Sequence, residues 1–105
     1  MSKKTTVEDL SRLTKALADP HRVRLVELLA RRGLCVTAAA RELGLSQPLV
    51  SQHLRVLRQA GLIRGERRGR RVHYHVEART WAKLVAQLSA LVGEDQRSPG
   101  GRKAS

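Results

Sequence analysis

Val7, Leu10, Leu13 and Leu17 recur at steps of three, three and four, which places them on one stripe of an amphipathic helix. Asp19-Pro20 interrupts that stripe. Aspartate satisfies free N–H groups at a helix start, and proline in the first helical position gives up a donor that has no partner there. A second helix is therefore expected from about Pro20 to Arg31, with Val23, Leu25, Val26, Leu28 and Leu29 on its buried side. Gly33 is expected to supply the left-handed residue that ends it. Thr37 reads as the N-cap of a short helix from Ala38 to Leu43, rich in small alanines and closed by Gly44. Ser46 caps a fourth helix, with Pro48 tolerated in its first turn, running to about Ala60 and stopping at Gly61.

From Leu62 to Val76 the period drops to two. Val72, Tyr74 and Val76 alternate with Arg71, His73 and His75, as in a half-buried strand, and Leu62 to about Arg67 is its partner. Arg68-Gly69-Arg70 is the tip of the hairpin, where Gly69 accommodates a positive φ. A last helix begins near Ala78 and carries Trp81, Leu84, Val85, Leu88, Leu91 and Val92 on one broad stripe. The fold class is mainly α with a small β-hairpin. Two helices joined by a tight turn at Gly44 and followed by a hairpin make a winged helix-turn-helix, ordered α1-α2-α3-α4-β-hairpin-α5. Residues 7–93 form that domain, residues 1–6 a flexible N-terminus, and the polar segment 94–105 a disordered tail.

A chain of 105 residues buries a modest core, so a shared dimer core is a natural supplement. The stripe on the last helix exceeds what one small domain covers, and pairing with the first helix uses it, through Leu10, Leu13, Trp81, Leu84, Leu88 and Leu91. Twenty-one Lys and Arg face nine Asp and Glu, a formal charge of +12, which attracts polyanions. No apolar run approaches the roughly 18 residues of a membrane span, so a membrane partner is not expected. The start, Met1 to Thr6, lacks the apolar stretch of a secretory signal, and the single cysteine, Cys35, suits a reducing compartment, so the expected location is cytoplasmic. One Trp, one Tyr and no Phe leave few platforms for stacking single-stranded bases, which favours duplex DNA.

On the fourth helix Val50, Leu54 and Leu57 point to the core, while Gln47, Ser51, Arg55 and Arg58 share a second face with Gln52 beside it. In the major groove a Gln amide pairs with adenine and an Arg fork with guanine. Gln47, Ser51, Gln52 and Arg55 are the first candidates for base reading, with Ser46, Pro48, His53 and Arg58 as further contact residues. The Ser46 hydroxyl serves equally as a helix cap or as a phosphate donor. Arg64, Arg67, Arg68, Arg70 and Arg71 against the single Glu66 make the hairpin a basic wing suited to phosphates or the minor groove. An enzyme fails on inventory: no Ser, His and Asp set sits in loops, no Gly-rich phosphate loop is present, and carboxylates are scattered. A nucleoid-type protein without a target sequence and a module that binds another protein through its basic surface stand as the alternatives.

The runs Leu17-Ala18-Asp19-Pro20-His21-Arg22-Val23-Arg24-Leu25, Leu45-Ser46-Gln47-Pro48-Leu49-Val50-Ser51-Gln52-His53-Leu54 and Leu57-Arg58-Gln59-Ala60-Gly61-Leu62-Ile63 closely resemble the ArsR/SmtB family of bacterial repressors, from about Leu10 to Leu91. The resemblance implies a homodimer built from the first and last helices, repression at operator DNA, and release when an inducer binds. It also implies that the helix from Gln47 to Ala60 reads the DNA. The sensing residues depart from the family pattern. Relatives that sense soft metals carry two cysteines one residue apart, where this chain has Cys35-Val36-Thr37. Relatives that sense zinc, nickel or cobalt place His and carboxylate ligands on the last helix, where Ala78 to Val92 has none. Cys35, His73 and His75 are the remaining metal candidates, with nickel, zinc or cobalt as a candidate inducer. His73 and His75 share a strand face, yet a tight site needs a third donor, and surface or phosphate-donor roles account for the pair as well. Cys35 reads either as inert core or as a redox or metal residue, and a sensor borrowed from a partner protein is the further alternative. His21 is assigned to packing and His53 to the polar face of the reading helix.

Overall fold

The structure is a computed structural model and describes residues 3–93, with side chains described from Val7 onward. The tail 94–105 lies outside the described residues. The order is α1 (Lys3–Leu17), α2 (Pro20–Arg31), α3 (Val36–Leu43), α4 (Gln47–Gln59), β1 (Ile63–Arg68), β2 (Arg71–Val76) and α5 (Ala78–Leu91). Helix α1 starts at Lys3, so part of the expected N-terminal segment is helical. Propagating a helix past its apolar stripe adds a hydrogen bond per residue and needs no apolar side chain, so the stripe did not mark this boundary.

Side-chain caps start α2 and α4, and a glycine ends α3. Asp19 Oδ1 accepts from the N–H groups of His21 at 2.8 Å and Arg22 at 3.3 Å, and Ser46 Oγ accepts from Leu49 N–H at 3.3 Å. Gly44 takes φ +68° at the turn between α3 and α4, where a side chain would be strained. Two caps differ from expectation. The N-cap of α3 is Cys35, not Thr37, because the Leu34–Tyr74 bridge brings the chain into α3 two residues early. Gly33 does not end α2 in a left-handed turn; Arg32 ends it in extended geometry. Gly33 is required for space instead: a Cβ there would fall within 2.7 Å of both ring nitrogens of His75.

Leu13, Leu25, Val50, Leu57 and Leu62 are fully buried where α1, α2 and α4 converge. Each such side chain contributes roughly 1.5–3 kcal/mol by leaving water. The antiparallel hairpin runs in register from Ile63↔Val76 to Arg68↔Arg71, leaving Gly69 and Arg70 as its two-residue loop. Leu34 and Tyr74 exchange backbone hydrogen bonds at 3.3 and 2.8 Å, which ties the wing to the segment between α2 and α3. The Leu62 carbonyl accepts from both Glu77 N–H and the Trp81 indole, each at 3.0 Å, and so anchors α5.

This packing corrects two apolar assignments. Val23 is 47 % exposed and lies off the buried side of α2. Leu10, Leu13 and Leu84, expected to meet a second subunit, are consumed by the chain's own core, because α5 folds back on α1 with Lys83 Nζ 3.3 Å from Asp9 Oδ2. Trp81 is likewise turned inward by its bond to Leu62. Besides Val23, the large apolar side chains left exposed among the described residues are Val7 on α1 and Val85, Leu88, Leu91 and Val92 along and just past α5.

Candidate nucleic-acid interface

Helix α4 contains no acidic residue, and Ser46, Gln47, Pro48, Ser51, Gln52, Arg55 and Arg58 are all exposed on it or at its cap. The buried stripe of Val50, Leu54 and Leu57 holds the opposite side against the core. Ser46 has its hydroxyl engaged in capping, at the N-terminal end of the same exposed face.

His53 is the exception and corrects the expectation for it. It is only 7 % exposed and points inward. Its spacing, three residues after Val50 and four before Leu57, puts it on the apolar stripe, a signal present in the sequence and overridden by the polarity of the residue. Arg22 Nη1 lies 3.2 Å from His53 Nδ1. Since a guanidinium only donates, Nδ1 must be the acceptor, which assigns the ring proton to Nε2. Burial pushes His53 below its usual range; the Asp19 carboxylate opposes this, and the positive charges of Arg22 and His21 add to it. Arg22 also donates through Nε to the Ala16 carbonyl at 2.6 Å, so one side chain joins the end of α1 to α4. A second link runs from Arg12 Nη1 to the Ala60 carbonyl at the far end of α4, at 3.2 Å. Neither arginine stood out in the sequence as a positioning residue, because long-range contacts leave no periodic trace.

The wing arginines are all exposed but not equivalent. Arg64 Nη1 donates to the Val76 carbonyl at 3.1 Å and lies 3.9 Å from Glu77. Arg67 reaches the Gly69 carbonyl at 3.4 Å, and Arg68 approaches Glu66 at 4.0 Å. Arg71 turns toward Cys35 Sγ at 3.6 Å. Arg70, in the loop, has no side-chain hydrogen bond or ion pair among the described residues, so its guanidinium is the least committed of the five.

Among the described residues no three His, Cys, Asp or Glu side chains converge as metal ligands. Cys35, His73 and His75 are therefore not gathered into one site. His75 Nε2 sits 3.2 Å from Glu66 Oε1 across the hairpin, with its ring over Gly33. Cys35 is buried at the head of α3, where the Ala38 N–H holds its thiol below the usual range, burial works against that, and Arg71 adds to it. A guanidinium beside the sulfur favours the thiolate but repels a metal cation.

No helix among the described residues is long and apolar enough to cross a membrane. Residues 19–64, from the cap of α2 to the first strand, match the family described as "Bacterial regulatory protein, arsR family". The chain is 42 % identical over 83 residues to the HTH-type transcriptional repressor SmtB of Mycobacterium tuberculosis, an alignment covering 79 % of this chain and 62 % of that one. It thus spans under two thirds of the length of that relative. It is 34 % identical over 85 residues to an uncharacterized HTH-type transcriptional regulator of Methanocaldococcus jannaschii, covering 77 % of this chain and 96 % of the other. In three dimensions it is similar to the homodimeric winged helix-turn-helix DNA-binding domain of Mb0332 from Mycobacterium bovis, with a TM-score of 0.72 at 28 % identity, over 88 % of this chain and 87 % of that one. The four helices, the arginine hairpin and the closing helix of this chain are those of a winged helix-turn-helix regulator, and the chain belongs to the arsR family.

Proposed function

We propose that this chain is a dimeric, sequence-specific transcriptional repressor that holds operator DNA and is released by an inducer. The observation that carries this reading is the α4 surface: an acid-free helix whose exposed face presents Gln47, Gln52, Arg55 and Arg58, held from behind by Val50, Leu54 and Leu57 and flanked by the basic hairpin. Gln47, Ser51, Gln52 and Arg55 read base edges, and Arg58 with Arg70 at the wing tip meets phosphates. The exposed strip of Val7, Val85, Leu88, Leu91 and Val92 suits a second copy of the chain, and a two-fold dimer offers the duplex two reading helices. A cytoplasmic location accords with a duplex-DNA partner.

The test is fluorescence anisotropy on the chain's own promoter fragment against a scrambled duplex. Arg55→Ala is expected to cost about 1–3 kcal/mol on the operator and little on the scrambled sequence. Equal affinity of the unmodified protein for both duplexes overturns the repressor reading in favour of a nucleoid-type protein. Redox control at Cys35 is a second reading, favoured by the lowered thiol and by Arg71, which joins that thiol to the wing. Peroxide treatment is then expected to weaken operator binding in the native chain and not in Cys35→Ser; equal behaviour of the two removes this reading.

A further inference from the structure

Where α1, α2 and the end of α4 meet, the surface opens into a cavity of about 430 Å³, within the ~300–1,000 Å³ typical of small-molecule sites. Ala16, Val56 and Ala60 supply aliphatic walls, Gln59 an amide, and Arg12, Lys15 and Arg22 three cations. Among the described residues no carboxylate lines it. We propose that this cavity binds a small amphipathic anion, a monocarboxylate with a compact apolar body, and that its occupant is the inducer; this deepens the repressor reading and rests on it.

The donors are already arranged for such a ligand. Arg12 spends Nη1 on Ala60 and Nη2 on Asp9 at 3.3 Å, and Arg22 spends Nε on Ala16 and Nη1 on His53. Those bonds hold both guanidinium groups in place while leaving Arg12 Nε and Arg22 Nη2 without a partner among the described residues, available to donate. The Lys15 ammonium is exposed and has no polar partner among the described residues. A carboxylate meets these groups with charge-assisted bonds, and its apolar body covers Ala16, Val56 and Ala60. At ~100° per residue, Arg12 and Ala16 fall on the side of α1 opposite Val7 and Leu10, and Lys15 lies about 80° round from Val7. A second copy seated on the apolar strip leaves the mouth clear.

Two of these cations are also the links between α1 and the reading helix. An anion that draws Arg12 from the Ala60 carbonyl, or Arg22 from His53, changes how α4 sits on α1, and α1 carries part of the dimer strip. Anion and DNA then compete through one shared element, and each weakens the other by the same factor.

The experiment titrates the full-length dimer with hexanoate, benzoate and phenylacetate, using the corresponding amides as neutral controls at matched ionic strength. Thermal shift reports binding, and anisotropy on the promoter fragment reports coupling. The acids are expected to raise Tm and to weaken DNA binding by about 5–150-fold, the usual span of such couplings, while the amides do neither. Lys15→Gln is expected to abolish the acid response with DNA affinity in ligand-free buffer unchanged, and Gln59→Trp, which crowds the mouth, to do the same. The proposal is overturned if the amides match the acids, if no acid raises Tm, or if the two variants respond like the native chain. It is also overturned if Lys15→Gln by itself lowers DNA affinity and the salt slope, since the rim is then a phosphate clamp. Acid binding by a dimer that ignores its promoter overturns the repressor reading alone; promoter binding without acid binding overturns this inference alone.

Discussion

Replacing Arg70 by alanine separates affinity from specificity. Arg70 sits in the two-residue loop at the wing tip, and its guanidinium is not engaged by any described neighbour, so it is free to meet a phosphate. In a dimer the substitution removes one such contact per subunit. Counterion release at about 0.9 per phosphate then lowers the slope of log K against log salt by ~1.8, and near 0.1 M salt the two contacts together account for roughly sixtyfold in affinity. The measurement is anisotropy over a salt series, on the operator and on a scrambled duplex, for the native protein, Arg70→Ala and Arg64→Ala. Arg64 serves as the internal control because it is already committed to Val76 and Glu77; its loss is expected to leave the slope nearly unchanged. An unaltered slope for Arg70→Ala, or a loss confined to the operator, would refute the assignment of this residue to the phosphates.

Leu88→Lys with Leu91→Lys places charges on the exposed strip of α5, and at about 1.5–3 kcal/mol per leucine on both subunits the dimer should weaken at least ~10⁴-fold; sedimentation equilibrium reads this, and an intact dimer would place the interface elsewhere. Gly33→Ala drives a methyl into the His75 ring, and overpacking of that kind costs about 1–3 kcal/mol; an unchanged Tm would show that the wing shifts freely. His53 is held below its usual value of 6.5, so below that pH the unfolded chain takes up the proton first and stability falls as pH falls. Protonation puts a hydrogen on Nδ1 against the Arg22 guanidinium, and Asp19 moderates the effect without reversing it. Melting curves between pH 7.5 and 5.5 are therefore expected to slope downward with acid in the native chain and to flatten in His53→Gln; equal slopes would remove His53 as the cause.

The apolar spacing of Leu10, Leu13 and Leu17, the Asp19-Pro20 and Ser46 caps, the glycines at 44, 61 and 69 and the alternation from Arg71 to Val76 determined the order of elements and nearly all their limits, because each of these signals acts within a few residues of itself. The exposed face of α4 follows from the same local periodicity. Which surfaces remain after folding does not. Leu10, Leu13 and Leu84 looked the same in sequence as Leu88 and Leu91, and only the return of α5 onto α1 decided that the first three are core and the last two are surface. Gly33 is small for His75, forty-two positions away, and not for its own turn. Local spacing already set His53 on the inward stripe of α4, but only the fold brought Arg22, thirty-one residues earlier, to its ring as a hydrogen-bond partner. The cavity framed by Arg12, Lys15 and Arg22 likewise exists only once three helices converge. Local chemistry determined the elements and the reading face; long-range packing decided which side chains are free to meet a partner, a ligand or DNA.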